Sequence, residues 1–308
     1  MSFLKDLSIK RLLRLFGNIL VLLSIWFLVK LFSEKISEIR YLDLSISNFL
    51  LLLFLVLNGV FAYWVLSYIW KLQLGSKYTE FTLRKSFRII ALTQIAKYVP
   101  GNIAHLVGRF YLSQKILKKS DAAYSIFIEN IMFIISASMI GAIYFFFYDV
   151  DNIIEINLVW ILPTLIVCLL IVMKFFLSYI RAKYDVIKPQ FSIFIKVFFV
   201  FVFLHLLGGI TIFVLINLIT PELGTPFLLC ISGYAISFMI GFITPGAPGG
   251  IGVREFAFTQ LFTPFIGAIY ALEVILLFRI ITILSDLMLF VIGKYFIGKS
   301  EKENFTYI

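Results

Sequence analysis

Apolar runs separated by short polar or basic segments fill this chain. They lie at Leu12–Phe32, Phe49–Trp70, Tyr124–Tyr148, Leu158–Tyr179, Ile195–Ile219, Pro226–Ile243 and Pro264–Ile297. A helix needs about 20 apolar residues to cross the hydrocarbon core, so each run predicts a transmembrane helix. The last is too long for one perpendicular helix. It reads as a tilted span with an extension or as two shorter pieces. Two further stretches, Phe87–Leu112 and Thr244–Phe262, fit no simple span, because Pro, Gly and polar residues interrupt their apolar positions. The pattern predicts an all-α polytopic membrane protein of about 7–8 transmembrane helices plus two Pro/Gly-broken, re-entrant segments. No stretch is polar enough for a separate soluble domain, so residues 1–308 read as one integral membrane domain.

Composition agrees. Of 308 residues, 61% are hydrophobic and only 14% charged. Soluble domains carry roughly 45–50% apolar and about 25% charged residues. A soluble enzyme, a disordered chain and a disulfide scaffold are excluded. Cys168 and Cys230 both sit within apolar runs and read as small buried hydrophobes. The net charge of +10 points to basic loops beside anionic lipid rather than to nucleic acid.

The basic residues also set an orientation. They cluster as Lys71, Lys77, Arg84, Lys85 and Arg88, then Lys115, Lys118 and Lys119, then Lys174, Arg181, Lys183, Lys188 and Lys196. Glu34–Asp43 holds only Lys35 and Arg40, whereas Asp149–Glu155 and Asn217–Thr225 hold no Lys or Arg. The positive-inside rule places the N-terminus in the cytoplasm of a cell whose inner (plasma) membrane holds the chain. Met1–Arg14 is basic too, but the run after it lacks a small-residue cleavage pattern and reads as a first span, not a signal peptide. Basic residues flank Phe87–Leu112 on both sides, so it should enter and leave from the cytoplasm. Lys294, Lys299 and Lys302 favour a cytoplasmic C-terminus. Counting Thr244–Phe262 as re-entrant and Pro264–Ile297 as one span places it outside. The two counts differ by one crossing.

The two broken segments share a spacing. Pro100-Gly101 precedes Arg109 by nine residues, and Pro245-Gly246 precedes Arg254 by nine, with Phe110 and Phe256 close behind. This is a possible internal repeat centred on 97–110 and 244–256. Proline removes a backbone donor and glycine permits turns other residues resist. Inside hydrocarbon, a broken helix is tolerated only where protein or a wet cavity satisfies its backbone. Paired breaks in the two halves of a transporter point to a binding site. Half-helix N-termini would offer N–H groups to an anion, and Arg109 and Arg254 planar donors suited to phosphate. Gln94, Lys97 and Gly101 could form a polar stripe leading to the first break, with Lys97 drawing phosphate toward it. The plainer alternative is a kink in each segment with arginines reaching the interface.

Lys97-Tyr98-Val99-Pro100-Gly101-Asn102 with Gly108-Arg109, and Pro248-Gly249-Gly250-Ile251-Gly252-Val253-Arg254-Glu255, resemble the two hallmark motifs of the lysylphosphatidylglycerol synthase transmembrane-region family, also called flippase-like domain proteins. The resemblance in span layout covers essentially the whole chain. It implies an inner-membrane bundle of about eight helices. In bifunctional members that bundle is thought to move aminoacylated phosphatidylglycerol between leaflets, and other members accompany glycosyltransferases and polyprenyl-phosphate pathways. This sequence ends at Ile308 without a soluble aminoacyl-transferase domain, so the expectation is that it does not synthesise that lipid.

The candidate substrate-binding residues are therefore Lys97, Pro100, Gly101, Asn102, Arg109, Pro245, Gly249, Gly250, Gly252, Arg254 and Glu255. Charged residues within apolar runs add Glu129, Glu273, Arg279 and Asp286. At 100° per residue, Arg279 and Asp286 share one helix face about 10 Å apart, and Glu273 lies on another. Glu129 is close enough to its helix start to be interfacial. Glu255 is placed to pair with another arginine or to cap donors at the break. His105 and His205 read as packing residues. The leading expectation is a non-enzymatic, flippase-like lipid transporter for an anionic phospholipid or polyprenyl phosphate, without metal or cofactor. Two alternatives stay open: a non-catalytic membrane partner of a glycosyltransferase in cell-envelope glycan synthesis, and a membrane enzyme acting on lipid phosphates. The chain shows neither an aspartate-rich metal motif nor a His-x4-Asp pattern, since the residue five after His105 is Phe110.

Overall fold

A computed structural model describes residues 45–99, 103–147, 191–244 and 247–296, with isolated positions between 171 and 187. The expected spans Leu12–Phe32 and Leu158–Tyr179 therefore lie outside the described residues, apart from those isolated positions. So do Cys168, Pro100, Gly101, Asn102, Pro245 and Gly246. The described elements are helices α1 (Ile46–Leu74), α2 (Leu83–Thr93), α3 (Ala104–Ser113), α4 (Lys119–Phe147), α5 (Phe191–Ile219), α6 (Phe227–Ile243), α7 (Val253–Ile266) and α8 (Ala268–Val291). Short 3-10 turns occupy Gln94–Tyr98 and Pro248–Gly250 at the two breaks. The chain is all-α, as its apolar runs predict.

Length separates two kinds of helix. At 1.5 Å per residue, the 29 residues of α1, α4 and α5 reach about 43 Å, more than the roughly 30 Å hydrocarbon core. With α8 they form the four helices, among the described residues, that are long and apolar enough to cross. The 11 residues of α2 and 10 of α3 reach only about 15 Å. The 17 of α6 reach about 25 Å and the 14 of α7 about 21 Å. These four short helices make two hairpins.

The first hairpin, α2–α3, enters and leaves at one end of the bundle. Its base is held there by polar contacts. Lys77 Nζ lies 2.8 Å from Asp121 Oδ2 at the start of α4, and the Lys118 N–H donates to Tyr78 Oη at 3.2 Å. The Asp121 hydrogen bond raises the Lys77 pKa. Trp70, ending α1, packs edge-on against Phe81 and donates Nε1–H to Ser125. The chain turns into α2 because Thr82 Oγ1 accepts the Lys85 N–H and caps the helix. Phe87, Ile90 and Ala91 then face the core. This is the re-entrant segment that the flanking lysines predict.

The second hairpin, α6–α7, comes from the opposite end. α6 starts beside the distal part of α5, where Phe227 meets Phe213, and ends near the middle of α4, where Phe242 packs on Phe133. α7 returns to the distal core through Phe258, Phe262 and Ile266, and Tyr144 Oη donates to the Leu261 carbonyl. Two expectations are corrected. Pro226–Ile243 is shorter than a full span and ends near the middle of α4; most of its residues are apolar because they pack inside the bundle, and apolarity does not tell how far a helix reaches. Pro264–Ile297 is not one element: Pro264 belongs to α7, and Gly267, at φ +83°, breaks the chain before α8. Apolar residues on both sides hid that turn.

This hairpin also changes where α8 begins and ends in the bundle. α8 starts in the distal core, with Ala271 and Leu272, and ends against α2. Leu289 packs with Phe87 and Ala91 there, and a Cβ on Gly293 would stand 2.6 Å from the Ala91 Cβ. The end of α8 and the base of the first hairpin thus share one end of the bundle. Cysteines replacing Lys77, Lys118 and Lys294 should react with a membrane-impermeant thiol reagent from one side, and a cysteine at Glu222 from the other. Labelling of positions 77 and 294 from opposite sides would refute this arrangement.

Candidate intramembrane anion site

The tips of the two hairpins meet. A Cβ on Gly249 would stand 3.5 Å from the Tyr98 ring and 3.3 Å from Arg279 Nη2, and Gly249 has φ +56°. Gly252 turns into α7 at φ +82°. Glycine is needed at both, since side chains resist this backbone region and at 249 one would also enter the tip contact. Gly250, at φ +75°, lies against Gly241 of α6. Glu255 Oε2 accepts the Gly252 N–H at 2.6 Å, so the carboxylate occupies the N-terminus of α7.

α8 fastens both tips. Asp286 is 1% exposed and takes three donors: Tyr63 Oη to Oδ1 at 2.7 Å, Tyr98 Oη to Oδ2 at 2.6 Å, and Lys97 Nζ to Oδ2 at 2.7 Å. Arg279 Nη1 donates to the Gly249 carbonyl at 2.8 Å and lies 3.6 Å from Glu255 Oε1. As their spacing predicts, Arg279 and Asp286 share a buried face. One holds the second tip and the other holds the first.

The two motif arginines have different surroundings. Arg109, 2% exposed, gives both terminal nitrogens to Glu129, Nη1 to Oε1 at 2.6 Å and Nη2 to Oε2 at 2.8 Å, and lies over Trp70. Glu129 is buried, not interfacial. Its carboxylate already occupies the fork that Arg109 would offer a phosphate. Arg254 differs. Its Nη2 donates to the Gly249 carbonyl at 3.1 Å, its guanidinium stacks 3.9 Å from the Phe238 ring centroid, and its Nε, like that of Arg109, has no partner. Among the described residues no carboxylate lies within ion-pair distance of it.

One cavity of about 230 Å³ connects these groups. Tyr63, Gln94, Lys97, His105, Arg109, Glu129, Gly249 and Arg254 line it. The structure therefore brings together Lys97, Arg109, Gly249 and Arg254, with Gly250, Gly252 and Glu255 in the tip behind them. Pro100, Gly101, Asn102 and Pro245 lie outside the described residues. His105 Nδ1 is buried without a partner, and His205 Nε2 is 3.1 Å from Ser136 Oγ. Tyr63 and Tyr98 escaped the sequence reading, since a tyrosine in an aromatic-rich chain carries no signal of its own. Asp286 and Glu129 were visible as charges in apolar runs, but not their partners. Among the described residues no cluster of three or more His, Cys, Asp or Glu is arranged to hold a metal.

The model of the lysylphosphatidylglycerol synthase transmembrane region matches residues 15–289. No curated protein matches the chain at a significant level. The match spans most of the chain, which therefore belongs to this family and is a membrane protein related to lipid handling.

The Arg109–Glu129 pair makes a stability prediction. Removing one partner of a buried pair costs about 3–5 kcal/mol, whereas replacing both with apolar residues of similar volume is often near neutral. Arg109→Met and Glu129→Leu should each lower the detergent melting temperature strongly, and the double variant should melt higher than either. Additive losses in the double variant would show that the pair does not act as a unit.

Proposed function

We propose, from this family membership and from the cavity, that the chain binds the phosphate of an anionic lipid at Arg254 and Lys97 and moves the headgroup between leaflets. One observation carries the reading. Around the hairpin tips four cations, Lys97, Arg109, Arg254 and Arg279, meet three carboxylates, Glu129, Glu255 and Asp286. Among the described residues one positive charge is in excess there, and Arg254 carries it. A buried unpaired charge is costly, and an anion removes that cost. Its planar fork suits a phosphate, and the Arg254 Nε is unused.

The arrangement also supports a path. One hairpin reaches inward from each end, so the tips form the barrier and the cavity lies beside it. Small tilts of either hairpin would open the cavity toward one leaflet while the tails stay in the bilayer, the alternating access expected of paired broken helices. The basic end, with Lys77, Arg84, Lys85, Lys118 and Lys294, is placed in the cytoplasm by the positive-inside rule. The role is transport, not catalysis.

Arg254→Ala should weaken binding of labelled phosphatidylglycerol to the detergent-solubilised protein by about 1.5–3 kcal/mol, roughly 10–100-fold. Arg254→Lys should recover only part of it, since it keeps the charge and loses the fork. Both should melt close to the parent protein, because Arg254 makes one hydrogen bond and one ring contact. Unchanged binding and lipid transfer in both would remove Arg254 from the site.

A further inference from the structure

We infer that the bound phosphate carries an uncharged, hydroxyl-bearing headgroup, a polyol or sugar, and that the cavity rejects aminoacylated and other cationic headgroups. The inference rests on the anion-binding reading above and names its ligand more closely. It follows from where the carboxylate oxygens point. Glu129 gives both oxygens to Arg109. Glu255 gives Oε2 to the Gly252 N–H and turns Oε1 toward Arg279. Asp286 gives Oδ1 to Tyr63 and Oδ2 to Lys97 and Tyr98. Each carboxylate around the tips is thus engaged by the protein's own donors. An ammonium entering the cavity would meet, among the described residues, only carboxylates already held by these donors, and would add to a positive charge in excess there.

Several aromatic rings around the tips already carry one of the protein's own cations. Arg109 lies over Trp70, Arg254 over Phe238, and Lys97 beside Tyr63 and Tyr98. What the cavity does offer is neutral. His105, 8% exposed, has an unpartnered Nδ1, and Gln94 and Asn130 add side-chain amides. Imidazole and amide groups both give and accept hydrogen bonds, which suits hydroxyl groups. The cavity of about 230 Å³ has room for a small headgroup.

The test titrates the full-length chain in detergent with three lipids of identical short acyl chains: phosphatidylglycerol, phosphatidylethanolamine and lysylphosphatidylglycerol. Phosphatidylglycerol should bind at least tenfold tighter than phosphatidylethanolamine, with the lysyl lipid weakest. Equal or tighter binding of the lysyl lipid overturns the inference, while the anion reading survives if Arg254→Ala still weakens all three. If Arg254→Ala weakens none, the anion reading itself has failed. Glycerol phosphate without acyl chains should bind far more weakly; equal affinity would make the ligand a soluble phosphate and overturn the lipid assignment. His105→Leu keeps the side-chain bulk. It should weaken phosphatidylglycerol several-fold and leave a bare hexadecyl phosphate unchanged. Loss of both, or of neither, overturns the hydroxyl-binding role of His105.

Discussion

The structure depends on how α8 deals with two buried charges. Arg279 and Asp286 occupy one face, two turns apart, and each fastens a different hairpin tip. Neither tip is regular helix, so each has backbone groups that hydrocarbon cannot satisfy. The second tip answers this with the Gly249 carbonyl, which accepts from both Arg254 and Arg279, and with Glu255 at the start of α7. The first tip is fixed by side chains, through Lys97 and Tyr98 on Asp286. A single straight helix thus registers two segments that enter from opposite ends.

That registration explains why the arginines at equal spacing are not equivalent. Arg109 sits in the second turn of α3, opposite Glu129 on α4. Arg254 sits at the start of α7, within the tip itself. The shared Pro-Gly-x7-Arg spacing therefore brings both side chains to one cavity without placing them in one local structure. The two hairpins run in opposite directions, so the equal spacing does not match the arginines residue for residue. The functional asymmetry follows: one arginine is neutralised from a neighbouring helix, and the other keeps its charge at the point where the backbone turns.

Much of this was legible in the chain. Apolar runs gave the long helices, flanking lysines gave the re-entrant first segment, and helical periodicity put Arg279 with Asp286. What escaped was set by distance in sequence or by reach. Hydropathy could not tell α6 from a span, because the apolar residues it buries inside the bundle read the same as residues facing lipid. The break at Gly267 lay between apolar residues and raised no polar signal. Charges in apolar runs marked Glu129 and Asp286 as important. Their partners, Arg109 and Lys97, are chosen by how helices pack, which no local pattern encodes. Glu129 in particular turned a supposed ligand into half of an internal pair.

The same accounting constrains how a lipid could move. Lys97 lines the cavity and is also what joins the first tip to Asp286. A phosphate reaching Arg254 draws on Lys97 as well, since both line the same small space. Any hold the anion gains on Lys97 weakens the hold of Asp286, which still has Tyr63 and Tyr98 as donors. The hydroxyls therefore keep the carboxylate satisfied while the ammonium changes partner, so the exchange leaves no bare buried charge. The second tip is held differently, through the Gly249 carbonyl, which accepts from both Arg254 and Arg279. Of the two fastenings on α8, the one at Lys97 is the one an anion in the cavity reaches directly, because Lys97 lines that space and Arg279 does not.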